Sequence, residues 1–171
     1  MAFSADGAYQ FGDPSGAHSN TVIITRPANV TAYTAGDVIG DVNGSAILEF
    51  KNMGEAGREI IITSVEVEAD VAAIPAGMTF FNVRLYNASP TAIADNAAWD
   101  LPAGDRGKYL GRIQTNTVVD EGTTLFVDTD QVNKQVRLLT TSLFVQLQTV
   151  GGFTPSANST VKRLTLHTIE L

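Results

Sequence analysis

The sequence predicts an all-β protein, a single-domain antiparallel β-sandwich of jelly-roll or Greek-key type. Three observations carry this. Short runs rich in Val, Ile, Thr and Phe recur along the chain, several with a period of two. Clusters of Gly, Pro, Asn and Asp separate them at sandwich-like intervals, for about eight to ten strands in all. Only one segment has helical composition, so at most one short helix is expected. No internal repeat is visible.

At 171 residues the chain divides most simply into an extended, flexible N-terminal arm over 1–20 and a sandwich domain over 21–171. A chain of this size buries about 70% of its unfolded surface, enough for a core without covalent staples. The arm is Gly, Ala, Ser and Asp with scattered Phe3, Tyr9 and Phe11, too little apolar surface to fold alone. Those aromatics suit anchors that order against a neighbouring subunit.

The strands follow in order. Residues 21–26 are short and β-branched, and Pro27 ends the run because it has no N–H for a ladder. Residues 33–37 read as a turn. Val38, Ile39 and Val42 resume extended structure, Asn43-Gly44 reads as a tight turn, and 46–50 as the returning strand. Over 59–69, Ile61, Thr63, Val65, Val67 and Ala69 share one face, with Ser64, Glu66 and Glu68 on the other. Ile60 and Ile62 then fall on the polar side, which implies that this end is covered. Pro75-Ala76-Gly77 is a turn. Over 79–87, Phe81, Val83 and Leu85 alternate with Asn82, Arg84 and Tyr86, and Phe80 on the outer set suggests that the second face also meets something.

The alanine-rich segment 91–101 is the predicted helix or helical turn, bounded by Pro90 and Pro102. It carries the only tryptophan, Trp99, as a lid on the sandwich or an interface anchor. Residues 102–107 form a loop. Short strands are expected over 109–113, 115–119, 124–127, 135–139 and 142–150, with a long loop over 151–159. A strand over 161–171 closes the chain, and it should pair inside a sheet, since a free edge would aggregate.

Composition excludes several functions. The formal charge of −7 and a pI near 4.6 disfavour nucleic acid, which needs clustered cations, and also anionic membranes. Only 17% of residues are charged, below the usual quarter or so. There is no cysteine, hence no disulfide and no thiolate metal site. The N-terminus lacks a basic start and an apolar core, so no signal peptide is expected, and no run nears the roughly 18 apolar residues that span a bilayer. The chain is expected to remain soluble after synthesis in the cytoplasm.

No catalytic constellation stands out, and the sequence predicts neither enzyme activity, nor a cofactor, nor a metal. Of two histidines, His18 lies in the arm and His167 in the last strand, on a face with Arg163, Thr165 and Ile169. There is no Gly-x-Ser-x-Gly elbow. Gly104 to Lys108 fails as a phosphate loop, because its glycines are too close and Tyr109 stands where Ser or Thr would bind magnesium. Asp128, Asp130 and Asn133 could offer oxygens to calcium, but the spacing lacks the glycine and the distal glutamate of an EF-hand loop. Four Asn-x-Ser/Thr sequons, at Asn29, Asn43, Asn87 and Asn158, fit chance in an Asn- and Thr-rich chain.

Residues 26–40 carry a family resemblance. Arg26-Pro27, Thr31-Ala32-Tyr33 and Ala35-Gly36-Asp37-Val38-Ile39-Gly40 together resemble the opening of a group of tailed-bacteriophage virion structural proteins, some of which are capsid decoration, or cement, proteins with β-sandwich folds. The resemblance implies a virion component on the capsid surface, made in the host cytoplasm. Its partners would be the major capsid protein and itself, as a homotrimer. Phe3, Tyr9, Phe11 and Tyr33 are the expected capsid or subunit contacts. The alternative is a tail or head-fibre module that grips host surface glycans through Trp99, Tyr109 and Phe153, which lie in or beside irregular segments.

Overall fold

The computed structural model describes residues 16–42 and 46–171. Phe3, Tyr9, Phe11 and the Asn43-Gly44 turn lie outside the described residues. The strands are β1 (Ala17–Thr25), β2 (Val38–Ile39), β3 (Leu48–Phe50), β4 (Glu59–Ala69), β5 (Phe81–Tyr86), β6 (Tyr109–Gln114), β7 (Val119–Asp120), β8 (Leu125–Thr129), β9 (Lys134–Arg137), β10 (Leu143–Thr149) and β11 (Val161–Glu170). Among the described residues the one helical element is a 3-10 turn, Ala103–Asp105.

Two antiparallel sheets face each other. One runs β1-β11-β4-β8-β7, with β9 also on β4; the other runs β2-β10-β5-β6, with β3 also on β10. Two of these strands are interrupted. β2 and β3 meet the same neighbour in turn, at Leu147–Gln148 and at Leu143–Val145 of β10. Likewise β8 and β9 occupy successive lengths of β4. With each interrupted pair counted as one strand, the order in both sheets is that of a jelly roll, two Greek keys wound together. The C-terminal strand β11 is internal, between β1 and β4.

The core lies between the sheets. Ile62, Val65, Leu125 and Leu164 point in from one side, Phe50, Val83, Leu85 and Val145 from the other, all essentially without solvent exposure. Each such side chain contributes about 1.5–3 kcal/mol by leaving water.

Residues 115–118 are irregular rather than a strand, and four further expectations change. First, 38–50 is not a hairpin: β2 and β3 do not pair with each other. Between them the chain crosses to the other sheet, where Val42 N–H donates to Thr25 O at 2.7 Å and Asp41 Oδ2 accepts from Thr25 N–H at 3.0 Å. Second, β4 changes phase. Its partner register runs His167↔Ser64 and then Thr168↔Ile62, so Thr63 is the extra residue of a β-bulge. Ile60 and Ile62 are therefore buried along with Val65 and Val67, while Ile61 and Thr63 are not. Third, 91–101 is irregular rather than helical. Its backbone bonds to the 36–38 segment instead, through Val38 N–H to Ala97 O and Trp99 N–H to Gly36 O. Fourth, β1 begins at Ala17, so Ala17, His18, Ser19 and Asn20 belong to the sheet and not to an arm, with His18 opposite Thr168.

Candidate functional site

Two polar constellations and one open face are available for function. The first centres on Arg26. It sits one residue past the end of β1, facing inward in phase with Ile24, and has no exposure to solvent. Pro27 turns the chain back over it, so the carbonyls of the next residues come within reach. Arg26 Nε donates to Tyr33 Oη at 2.8 Å. Its Nη2 donates to Asn29 Oδ1 and Thr31 O, both at 2.9 Å, and its Nη1 to Asn29 O. Tyr33 Oη donates in turn to Asp95 Oδ1 at 2.6 Å, and Asp95 Oδ2 lies 4.0 Å from Arg26 Nη2. Gly40 N–H donates to the same Asp95 Oδ1 at 2.9 Å. A Cβ on Gly40 would stand 2.9 Å from Asp95 Cβ and 3.0 Å from its Cα, so this approach requires glycine.

Lys162 on β11 also points inward and is only 2% exposed. Burial, reinforced by the nearby Arg26 charge and opposed by Asp95, brings its ammonium down to about 8. Burial and the Asp95 carboxylate push the Tyr33 phenol well above its ordinary value. This is a closed clamp. Its hydrogen bonds join the end of β1, the 29–33 turn, Gly40 and the 87–108 loop, and the guanidinium is spent on partners inside the fold.

The second constellation lies on the outer face of the β10-β5-β6 sheet, under the 87–108 loop. Arg84 stacks on the Trp99 ring at 3.8 Å. Trp99 and Tyr109 rings are 5.8 Å apart, Tyr86 and Tyr109 rings 5.2 Å. Trp99 Nε1 donates to Tyr86 Oη and Gln146 Oε1, both at 3.2 Å. Gln148 Oε1 accepts from Asn82 and from both Nε and Nη2 of Arg84, while its Nε2 donates to Gly36 O at 2.8 Å. Asp105 fastens the far end of the loop. It accepts from Thr91 N–H at 2.7 Å and pairs with Lys108 at 2.7 Å, and these bonds, Lys108 first, hold its carboxyl at about 2. The second face of β5 is thus covered by the chain's own loop, which buries Asn82 and Tyr86.

The expected contact residues separate accordingly. Trp99 and Tyr109 come together, half-buried. Phe153 does not join them: it is 4% exposed and packs on Tyr33 with ring centroids 5.0 Å apart. Tyr33 is 2% exposed, so neither ring is presented at the surface. Both belong to loops, yet paired backbone bonds between Tyr33 and Phe153 turn the two loops inward together. Sequence reasoning missed Arg26, Asp95 and Lys162. The signal for Lys162 was present, since it shares the period-two face of Leu164, Leu166 and Thr168 in β11.

The open face is the outer side of the β1-β11-β4-β8 sheet. It is wet and mixed, with Thr21 and Thr165 hydroxyls 2.8 Å apart, Arg163 on Asp70 at 2.7 Å, and His167 Nε2 3.2 Å from Glu66 Oε1. Burial, then Asp130 and Glu66, raises the Asp128 carboxyl on this side. Ile23 and Ile169 are exposed on it. Among the described residues no group of three or more His, Asp or Glu is placed to hold a metal ion, and no helix is long and apolar enough to cross a membrane.

No protein-family model and no curated protein matches the chain. Solved structures similar to it come from virus particles. A chain of the empty head of turnip yellow mosaic virus is 13% identical over 99% of this chain and 89% of its own length, at a TM-score of 0.28. One from the native virion of Kashmir bee virus is 15% identical over 90% and 70%, at 0.25. The VP2 subviral particle of infectious bursal disease virus gives 15% identity over 91% of this chain and 41% of that one, at 0.23.

Proposed function

We propose that this chain is a virion structural protein of a tailed bacteriophage, a capsid decoration protein that binds the outer surface of the head and has no enzymatic role. The observation that carries the reading is the use of the stretch that resembles phage virion proteins. Arg26, Tyr33 and Gly40 all meet at Asp95, so residues 26–40 serve as scaffold rather than as a reactive site. The jelly roll supports the same reading at the level of analogy, since viral capsid domains use it widely. A rigid sandwich seated where capsomers meet adds buried area across the joints that open when the shell expands. Many weak symmetric contacts then sum by multivalency. A net charge of −7 suits the outside of a particle, away from the genome.

The test is the copy number of this chain in purified particles relative to the major capsid protein. A ratio near the number of lattice sites supports decoration, and total absence from the particle overturns it. Deleting residues 1–15, which stops short of β1, should leave the sandwich folded and weaken attachment to the capsid.

The glycan-binding alternative has one observation in its favour, the half-buried Trp99 and Tyr109 side by side. Against it, the polar edge of Trp99 and the amides of Gln146 and Gln148 are engaged within the fold. A few copies per particle, with glycan-array binding lost in Trp99→Ala, would favour this reading over decoration.

A further inference from the structure

β1 is an edge strand, with no other strand beside its outer edge among the described residues. β1 is nine residues long and pairs with β11 without a register shift, from Ala17↔Ile169 to Thr25↔Val161. Glu170 N–H donates to Gly16 O and Arg26 N–H to Thr160 O, so even-numbered residues bond to β11. Odd-numbered residues therefore aim both backbone groups away from the sheet. Thr25 is capped by Asp41 and Val42. Ala17, Ser19, Thr21 and Ile23 have no backbone partner on that edge among the described residues.

Edge strands normally carry a device against pairing, such as a proline, a lysine, a bulge or a covering segment. The free stretch Ala17-His18-Ser19-Asn20-Thr21-Val22-Ile23 has no proline, no lysine and no acidic residue, and no bulge interrupts it. Its odd side chains are all exposed, Ile23 at 59%.

The geometry points to a second copy of this chain as the occupant, pairing β1 with β1 antiparallel about a two-fold axis. The register follows from the free groups. Aligning Asn20 with Asn20 of the second copy sets Ala17 against Ile23 and Ser19 against Thr21, twice each by symmetry. Every free N–H then meets a free C=O, and the capped Thr25 stays outside the paired stretch. The stretch is self-complementary in hydrogen bonding, and it is uncharged but for His18, which this register sets opposite Val22, so no like charges face each other across the pair. An isologous contact closes at two copies, unlike the trimer expected from the family resemblance. This inference does not depend on the virion reading.

The full chain is tested by sedimentation over a concentration series and by amide hydrogen exchange. A dimer is expected. Within it the amides of Ser19, Thr21 and Ile23 are protected, and on dilution to monomer they lose that protection at least tenfold, while those of Asn20 and Val22 stay protected through β11. Ser19→Lys with Thr21→Lys places like charges opposite each other in this register and should give a folded monomer. Ser19→Lys with Thr21→Glu places opposite charges there and should restore the dimer. A monomer at all concentrations, a trimer, or a dimer indifferent to both double variants overturns the proposal. If the Lys/Lys variant fails to fold, the alternating protection in the unmodified chain decides: Ser19, Thr21 and Ile23 amides that exchange freely at high concentration overturn it.

Discussion

Tyr33 Oη and Asp95 Oδ1 lie 2.6 Å apart across 62 residues of sequence. The tyrosine comes from the turn after β1, the aspartate from the loop over the other sheet, and Arg26 bonds the same hydroxyl from behind. One hydrogen bond thus ties the turn after β1 to the loop over the other sheet, with a buried guanidinium behind it.

Removing either partner should cost stability, but unequally. Tyr33→Phe keeps the ring against Phe153 and removes one acceptor and one donor, for about 1–3 kcal/mol. Asp95→Ala leaves Arg26 and Lys162 buried without a counter-charge and should cost about 3–5 kcal/mol. Urea unfolding midpoints of the two variants check the order; equal losses would mean that the carboxylate does no electrostatic work.

Lys162 and Tyr33 make stability depend on alkaline pH in opposite directions. The folded lysine titrates near 8, below the roughly 10.4 of an unfolded one. Between these values the unfolded chain holds a proton that the folded chain has released, so stability rises with pH, by on the order of 1–3 kcal/mol. Tyr33 is raised, so above about 10 the unfolded chain ionises while the folded chain keeps its proton, and stability falls. Urea midpoints should therefore peak at about pH 9–10. Lys162→Met should abolish the rise, keep the later fall, and raise stability at neutral pH. A profile flat between pH 8 and 10 in the unmodified chain would contradict the buried-charge account.

Trp99 is a fastener of the 87–108 loop. Trp99→Phe keeps an aromatic over Arg84 but withdraws a donor from Tyr86 and Gln146, at about 1–2 kcal/mol. Trp99→Ala also empties the space beneath the loop and should cost about 2–4 kcal/mol, with faster proteolysis within 87–108. Unchanged cleavage in Trp99→Ala would show that Asp105 alone holds the loop.

Gly40 and Gly77 should be intolerant of alanine for different reasons. At Gly40 the added methyl meets the Asp95 backbone. At Gly77, with φ +88°, it would come within 2.1 Å of Gly152 O as well as straining the turn. Each substitution should cost at least about 2 kcal/mol in thermal or urea unfolding, the Gly77 change more. Wild-type-like unfolding of either variant would place these backbones farther apart than described.

The fold class was legible in the order of residues because period-two alternation and turn chemistry are local. The alternation of Phe81, Val83 and Leu85 and the Pro75-Ala76-Gly77 turn needed no knowledge of what packs against them. Three things were decided only in three dimensions. The bulge at Thr63 depends on β11, whose register shift lets one more residue into β4 and brings Ile60 and Ile62 into the core. The helical composition of 91–101 lost to tertiary bonds, since Val38 and Gly36 offered its backbone partners outside the segment. The clamp around Arg26 exists because a charge can be buried only where acceptors converge, and Asn29, Thr31, Tyr33 and Asp95 converge only after the two sheets close. Local patterning chose the strands; long-range pairing chose their order, the phase of β4 and the site where buried charge is neutralised.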